Sequence, residues 1–305
     1  MSKKVTKAVF PVAGFGTRFL PATKSVPKEI LPLVDKPLIQ YAIDEAREAG
    51  INEFIFVTSR GKSALEDYFD SNPELETALR EGKKTALLDK LAKTDMGSGA
   101  VAYVRQHERR GLGHAVWCAR RMIGDEPFAV ILPDDVIDAE TPCLKQMVEA
   151  YSEFGGNMVA TMEVPTANVS SYGILDVGSE AGPTMSVKGM VEKPKAADAP
   201  SNFAVIGRYI LTPRVLANLE KIEAGAGGEV QLTDAIAREI KESGDVHAFR
   251  FKGRRFDCGS QIGYLQATVT FGLARDEFRD EFMEFLQTVE GVTPAAAPQR
   301  AVAGR

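Results

Sequence analysis

The stretch Ala8-Val9-Phe10-Pro11-Val12-Ala13-Gly14-Phe15-Gly16-Thr17-Arg18 decides the fold. Ala8–Ala13 reads as a buried strand that runs straight into a glycine turn. An apolar run without alternation belongs to a strand covered on both faces. Small residues at the turn let backbone N–H groups approach an anion closely. Further apolar runs follow at 53–59, 100–104 and 128–132, with helical patterns between them at 37–49, 63–70 and 113–123. The first helix is the clearest: Pro37 at its first turn, apolar Leu38, Tyr41, Ala42, Ala46 and Ala49, then Gly50 as a stop. Strand–helix alternation with buried strands predicts an α/β fold whose mainly parallel sheet is covered on both faces. Ligands of such sheets bind at the carboxyl ends of the strands.

After about residue 150 the rhythm changes. Strands are expected at 158–164, 173–177, 186–191 and 204–211, then helices at 213–222 and 231–242. A strand pair at 246–251 and 255–258 and helices at 260–274 and 276–288 complete the pattern. No internal repeat and no Ser/Gly linker divides the chain. Residues 1–290 are therefore expected to form one domain, with about 1–150 as its first half and about 151–290 as a β-rich second half. The Ala/Pro/Gly-rich stretch 291–305 has no apolar periodicity and is expected to be a disordered tail.

Composition excludes several classes. The 305 residues are 44% hydrophobic and 26% charged, which suits a globular chain with a sizeable core. A net charge of −5 argues against a general binder of nucleic acid or of anionic membranes. Three cysteines, Cys118, Cys143 and Cys258, without CxxC spacing disfavour a disulfide framework or a cysteine zinc site. No apolar stretch is long enough to span a membrane, and no leader pattern opens the chain, so a cytoplasmic protein is expected. The histidines His107, His114 and His247 show no metal spacing.

Two nucleotide motifs fail on inspection. The dinucleotide fingerprint needs a third glycine where Phe19 stands. Gly61-Lys62-Ser63 lacks the Walker A glycine, because position 56 is Phe56. The longer string is more specific. Gly14-Phe15-Gly16-Thr17-Arg18-Phe19-Leu20-Pro21-Ala22-Thr23-Lys24-Ser25-Val26-Pro27-Lys28-Glu29 sets three cations and two prolines after the glycines. Prolines lower the entropy lost on closing around a ligand. Arg18 can grip phosphate with a planar fork, and Lys28 supplies a point charge.

This string resembles the nucleotide-binding signature of the sugar-1-phosphate nucleotidylyltransferases. Its extension, Lys28-Glu29-Ile30-Leu31-Pro32-Leu33-Val34-Asp35-Lys36-Pro37-Leu38-Ile39-Gln40-Tyr41, is similar to the branch of that family that joins UTP to glucose 1-phosphate. The likeness continues in order through Arg105-Gln106, Gly111-Leu112-Gly113-His114-Ala115, Ile131-Leu132-Pro133-Asp134, Val191-Glu192-Lys193-Pro194, Gln231-Leu232-Thr233-Asp234-Ala235 and Asp257-Cys258-Gly259. It implies a Rossmann-like three-layer α/β/α sandwich with a mixed, mainly parallel central sheet and a β-rich sugar-binding half. It also implies a Mg²⁺-dependent transfer with UTP and glucose 1-phosphate as substrates, and a homodimer or homotetramer. The same chemistry with dTTP is the nearest rival, and a catalytically silent nucleotide-binding module is a rival of another class.

The resemblance assigns roles residue by residue. Arg18, Lys28 and Lys193 would be catalytic, with Lys193 on the phosphate of the sugar. Ala13, Gly14, Gly16, Thr17, Glu29, Gln106 and Gly111 would hold the nucleotide, Gln106 reading the imide edge of uracil with an amide that both donates and accepts. Gly173, Glu192 and Val205 would line the sugar pocket beside Lys193. Asp134 and Asp257 would hold Mg²⁺, which takes one or two carboxylates plus phosphate oxygens. Asp135 competes with Asp134 for that role. Arg109 and Arg110 are expected to be solvated, and Trp117, Cys118 and Cys258 to be packing residues.

Overall fold

The computed structural model describes residues 3–222 and 228–289. The first half runs β1 (Lys7–Pro11), β2 (Pro32–Leu33), β3 (Lys36–Pro37), α1 (Leu38–Glu48), β4 (Glu53–Thr58), α2 (Ser63–Phe69), α3 (Pro73–Glu81), α4 (Thr85–Ala92), β5 (Val101–Arg105), α5 (Leu112–Cys118), α6 (Arg120–Ile123), β6 (Phe128–Ile131), β7 (Asp135–Asp138) and α7 (Cys143–Phe154). The second half continues with β8 (Asn157–Glu163), β9 (Gly173–Ala181), β10 (Thr184–Glu192), β11 (Phe203–Leu211), α8 (Pro213–Glu220), α9 (Leu232–Ser243), β12 (Val246–Arg250), β13 (Arg254–Asp257), α10 (Gln261–Leu273) and α11 (Arg279–Thr288).

Nine strands form one sheet in the order β5-β4-β1-β6-β11-β8-β12-β10-β9. It passes without a break from the first half of the chain into the second. The sheet is mixed. The pairs β5/β4, β4/β1, β1/β6 and β8/β12 are parallel. The pairs β6/β11, β11/β8, β12/β10, β10/β9 and β11/β9 are antiparallel. The parallel character thus belongs mainly to the first half, where helices supply the crossovers.

Neighbouring side chains on each strand face opposite layers, as the pleat requires. Phe10, Phe56 and Ile131 join Ile43 of α1 and Leu144 and Met147 of α7 in one core. Val9, Ile55 and Val130 join Val116 of α5, Leu219 of α8 and Ile236 of α9 in the other. These two cores are the interfaces of the three-layer sandwich. A smaller third cluster ties Leu33 and Leu38 to Val136, Phe256 and Ala267, so the C-terminal helix α10 packs back on the segment after the glycine loop.

Three expectations needed correction. The strands at 246–251 and 255–258 do not pair with each other. β12 enters the main sheet between β8 and β10, whereas β13 pairs with β7. Val246, Ala248 and Phe249 of β12 are buried, so it belongs to the core, and Gly253 separates it from β13 with a φ of 149° that a side chain would resist. The expected helix 113–123 is two helices that meet at Ala119. Helices α3, α4 and α7 were not expected. No residue of α3 or α4 is buried, although Leu75, Ala78 and Leu79 and then Leu87, Leu88 and Leu91 recur at helical spacing; α3 is held by Pro73 in its first turn and by the Asn72 side chain, which accepts from Leu75 N. Helix α7 carries a stripe that is buried, in Leu144, Met147 and Tyr151. The stretch 291–305 lies outside the described residues.

Candidate active site

The carboxyl end of β6 and the adjoining stretch of the antiparallel β11, at Val205 and Gly207, open on one cavity of about 690 Å³. Arg18, Gly111, Asp134, Gly173, Glu192, Lys193, Val205 and Asp257 all line it. Motifs up to 239 residues apart in sequence, from Arg18 to Asp257, therefore converge, whereas Gln106 lines a neighbouring cavity with Lys62 and Arg109.

The glycine loop forms one wall. Gly16 sits at φ 69°, and a Cβ there would stand 3.1 Å from Lys28 Cβ and 3.2 Å from Thr23 Cγ2. Thr23 Oγ1 donates to the Gly16 carbonyl at 2.8 Å. Arg18 leaves this turn and donates from Nη1 to the Gly259 carbonyl at 3.3 Å, while Gln261 Nε2 donates to the Arg18 carbonyl at 3.0 Å. Phe19 meets the Tyr264 ring edge-on at 5.6 Å. The start of α10 thus clasps the loop and aims Arg18 inward.

Asp134 and Asp135 follow β6 but do different work. Asp135 is bound to the Arg255 guanidinium, with Nε at 2.7 Å from Oδ1, and its Oδ2 accepts from Gly207 N at 2.9 Å. Every oxygen of Asp135 is thereby committed to the scaffold. Asp134 faces the cavity, and its Oδ2 lies 2.5 Å from Lys28 Nζ. Burial disfavours its charged form, but Lys28 outweighs burial and holds the carboxyl below its ordinary range.

A buried network pins the turn that carries Asp134. Arg208 of β11 grips Glu45 of α1 bidentately, at 3.0 and 2.8 Å. The same guanidinium donates to the carbonyls of Leu132 and Asp135 at 3.1 and 2.7 Å. Position 207 must be glycine, because a Cβ would lie 2.6 Å from Asp135 Oδ2 and 2.7 Å from Leu132 Cβ.

Gly259 shows what the two carboxylates face. A Cβ on it would lie 2.9 Å from Asp134 Oδ2, 3.0 Å from Asp257 Oδ1 and 3.6 Å from Arg18 Nη1. The absent side chain leaves one space shared by two carboxylate oxygens and a guanidinium. Two hard oxygen donors beside the Arg18 guanidinium suit Mg²⁺, which takes one or two carboxylates and completes its shell with phosphate oxygens and waters. Among the described residues no group of three or more His, Cys, Asp or Glu makes an all-protein cage. Cys258 beside them is packing: burial pushes its thiol up to about 12.

The opposite wall belongs to the second half. Glu192 ends β10 and accepts from Thr233 Oγ1 at 3.0 Å; Lys193 Nζ lies 3.3 Å from Glu192 Oε1. Lys193 adopts φ 46°, an uncommon left-handed conformation for a non-glycine residue. Gly173 opposes Glu192, and a Cβ on it would meet Thr233 Cγ2 at 2.9 Å and Glu192 Oε2 at 3.2 Å. Val205 stands at the register shift between Val205 and Tyr209 on β11. Ala13, Gly14 and Thr17 lie along the glycine loop at the other end.

Gln106 is buried and donates from Nε2 to the Gly111 carbonyl at 3.2 Å. Gly111, at φ 94°, and Gly113 would each bring a Cβ to 2.8 Å from the Val230 carbonyl. Glu29 is 1% exposed and pairs with Lys62 at 2.7 Å, its Oε1 having no partner among the described residues. Lys62 belongs to the Gly61-Lys62-Ser63 segment, which is a counter-charge for Glu29. Arg109 is not merely solvated. It donates to the Ala13 carbonyl and to Ser59 Oγ, both at 2.8 Å, and stacks on Phe15 at 3.6 Å. Sequence reasoning missed Lys62, Arg109, Arg208 and Arg255, because each acts through a partner distant in sequence.

The fold and this convergence define a nucleotidyl-transfer site, and the comparisons agree. The nucleotidyl transferase family model matches residues 7–271, and the chain belongs to that family. A UTP–glucose-1-phosphate uridylyltransferase of Komagataeibacter xylinus is 57% identical over 86% of this chain and 92% of its own. A UTP-bound UDP-glucose pyrophosphorylase of Acinetobacter baumannii superposes with a TM-score of 0.85 at 41% identity, over 94% of this chain and 100% of its own. A UDP-glucose pyrophosphorylase complexed with UDP-glucose gives 0.79 at 44% identity, over 89% and 100%.

Proposed function

We propose that this enzyme makes UDP-glucose and pyrophosphate from UTP and α-D-glucose 1-phosphate. One observation carries the reading: Arg18, Asp134 and Asp257 surround Gly259 on the wall of a cavity that Gly111, Glu192 and Lys193 also line. The names borne by the uridylyltransferase and pyrophosphorylase relatives support the choice of substrates.

A phosphate oxygen of the sugar phosphate attacks the α-phosphorus of UTP in line, the new P–O bond forms, and the bond to the β-phosphate breaks. The nucleophile is already an anion, so the protein needs neither a covalent intermediate nor a general base. Its work is positioning and charge neutralisation. Lys193 holds the incoming phosphate, and Glu192 binds sugar hydroxyls with Gly173 and Val205 beside them. Arg18 neutralises the leaving pyrophosphate, with Lys28 on the triphosphate and Gly14, Gly16 and Thr17 cradling it. Gln106, Gly111, Ala13 and Glu29 border the base. Asp134 and Asp257 would hold Mg²⁺, which when bound supplies charge neutralisation at the reacting phosphates.

We also propose a cytoplasmic homo-oligomer in which residues 3–289 act as one unit. Among the described residues no helix is long and apolar enough to cross a membrane. Ile262, Leu265, Met283 and Phe285 of α10 and α11 are exposed apolar side chains that a second copy would cover, and sedimentation tests this. For the activity, the test is pyrophosphate release with glucose 1-phosphate, Mg²⁺ and each of UTP, dTTP, CTP, ATP and GTP in turn. Rapid release with UTP, abolished by EDTA, is expected. No release with any nucleotide, from folded protein, overturns the reading.

A further inference from the structure

A glutamine amide shows a base either a donor or an acceptor, depending on which way it is turned. The amide of Gln106 is turned from two sides. Its Nε2 lies 3.2 Å from the Gly111 carbonyl and 3.0 Å from His114 Nδ1. A carbonyl only accepts, so the nitrogen end must face Gly111. The second Nε2 proton then goes to His114, and it can do so only when Nδ1 carries no proton. Oε1 has no hydrogen-bond partner among the described residues and is the group left to accept from a ligand. Uracil offers an N–H at ring position N3, where cytosine has a lone pair.

We propose that His114 is a positioning residue for base choice: its unprotonated Nδ1 holds the Gln106 amide with the oxygen toward the base, so that the site accepts uracil and rejects cytosine. The proposal rests on the reading of Gln106 as a base-contacting residue. With a cytosine, two acceptors would stand face to face, and an unpaired polar group in a site built to pair it discriminates strongly.

The ring is well placed to do this. It lies nearly parallel to Trp117 on α5, with centroids 6.0 Å apart, and its Nε2 is 3.9 Å from Cys118 Sγ. The start of α5 is held by Gly113 N donating to the Val230 carbonyl at 2.9 Å. The charges acting on the ring are Arg110 and Glu108 on the loop before α5 and Arg120 on α6; Glu229, on the segment facing α5, packs on Gly111. Burial, and then Arg110, hold the imidazole below its ordinary range and so favour the neutral ring; Nδ1 accepts from Gln106 in the tautomer whose proton sits on Nε2.

The experiment compares kcat/KM for UTP, dTTP and CTP in the wild type and in Gln106→Ala, His114→Phe and His114→Asn. In His114→Phe the UTP-to-CTP ratio should fall about tenfold or more, through KM, while the UTP-to-dTTP ratio holds, because thymine keeps the N3 proton. His114→Asn, which returns an acceptor oxygen, should restore most of the loss. A His114→Phe ratio equal to wild type, with Gln106→Ala impaired, overturns the proposal and leaves the base reading standing. If Gln106→Ala leaves the ratio unchanged as well, the base reading falls with it. A second measurement needs no variant. The wild-type UTP-to-CTP ratio, in which triphosphate ionisation cancels, should decline with the same apparent pKa as the His114 ring followed by NMR. A ratio indifferent to that titration overturns the proposal.

Discussion

The two walls of the cavity are built on different principles. On the nucleotide side nearly every charge already has a partner: Lys28 with Asp134, Lys62 with Glu29, Arg109 with the Ala13 carbonyl. Behind them, Arg208 and Glu45 lock the Asp134 turn from within the core. On the proposed sugar side, among the described residues, Glu192 keeps Thr233 and a long contact to Lys193, whose side chain is 55% exposed. The difference separates two costs of binding. The first wall is preorganised by mutual neutralisation, so its residues carry stability as well as chemistry. The second is shaped by backbone geometry, at Gly173 and at the left-handed Lys193, so its residues carry little of the fold's stability.

That contrast can be broken at its strongest point. Removing one partner of a buried, hydrogen-bonded ion pair costs about 3–5 kcal/mol. Glu45→Ala should therefore lower the unfolding free energy by about that amount in denaturant titration, although Glu45 is not a cavity residue. An unchanged midpoint would show that the network behind the nucleotide wall is ornamental. The next effect is chemical. Asp134→Asn should cut kcat by about 10³ or more by removing one proposed Mg²⁺ ligand. Asp135→Asn should instead act mainly on stability, since its oxygens serve Arg255 and Gly207. Reversed phenotypes would exchange the roles of the two aspartates.

Arg18→Ala and Lys193→Ala should each lose about 10²–10³ in turnover, the usual cost of one donor to a developing or transferred charge. They should differ in stability. Arg18 also bonds the Gly259 carbonyl, whereas the half-exposed Lys193 makes a 3.3 Å contact to Glu192 that water can replace. Near-wild-type turnover in either variant removes that residue from the mechanism.

The Lys28–Asp134 pair adds a pH signature. Lys28 depresses the Asp134 pKa, so the pair contributes stability above the unfolded carboxylate value and loses it as the pH falls through the lower, folded value. The destabilisation caused by Lys28→Met should accordingly grow as the pH rises from about 3 to 5. A cost independent of pH across that window would show that Lys28 stabilises by packing and not by charge.

The same contrast explains what could be read from the sequence. Alternating buried runs and the glycine turn sufficed for the first half, because parallel strands covered on both faces leave unbroken apolar segments. Asp134 follows an apolar run as a carboxylate at a strand end, whereas Asp257 comes from the family resemblance alone. Arg255 and Arg208 did not, because an arginine in a sequence carries no sign of whether it faces water or a buried carboxylate. Arg109 was read as solvated for that reason. The Asp134–Asp135 choice could be posed from sequence but decided only by seeing Arg255 and Gly207 N take the second carboxylate. Helices α3 and α4 carry short apolar stripes, at Leu75, Ala78 and Leu79 and at Leu87, Leu88 and Leu91, that bury nothing in this fold.

The finest test lies on the open wall. Gly173 has no left-handed backbone to explain it; only space does. A Cβ there would press Thr233 Cγ2 at 2.9 Å and Glu192 Oε2 at 3.2 Å, closer than side chains settle. Gly173→Ala must push Thr233 or Glu192, and Glu192 is the proposed sugar ligand. KM for glucose 1-phosphate should rise about tenfold, the worth of one hydrogen bond to a charged group, while KM for UTP and the unfolding midpoint stay close to wild type. A rise in both KM values would mean that the two walls move together, and that the division between a pinned side and an open side does not survive turnover.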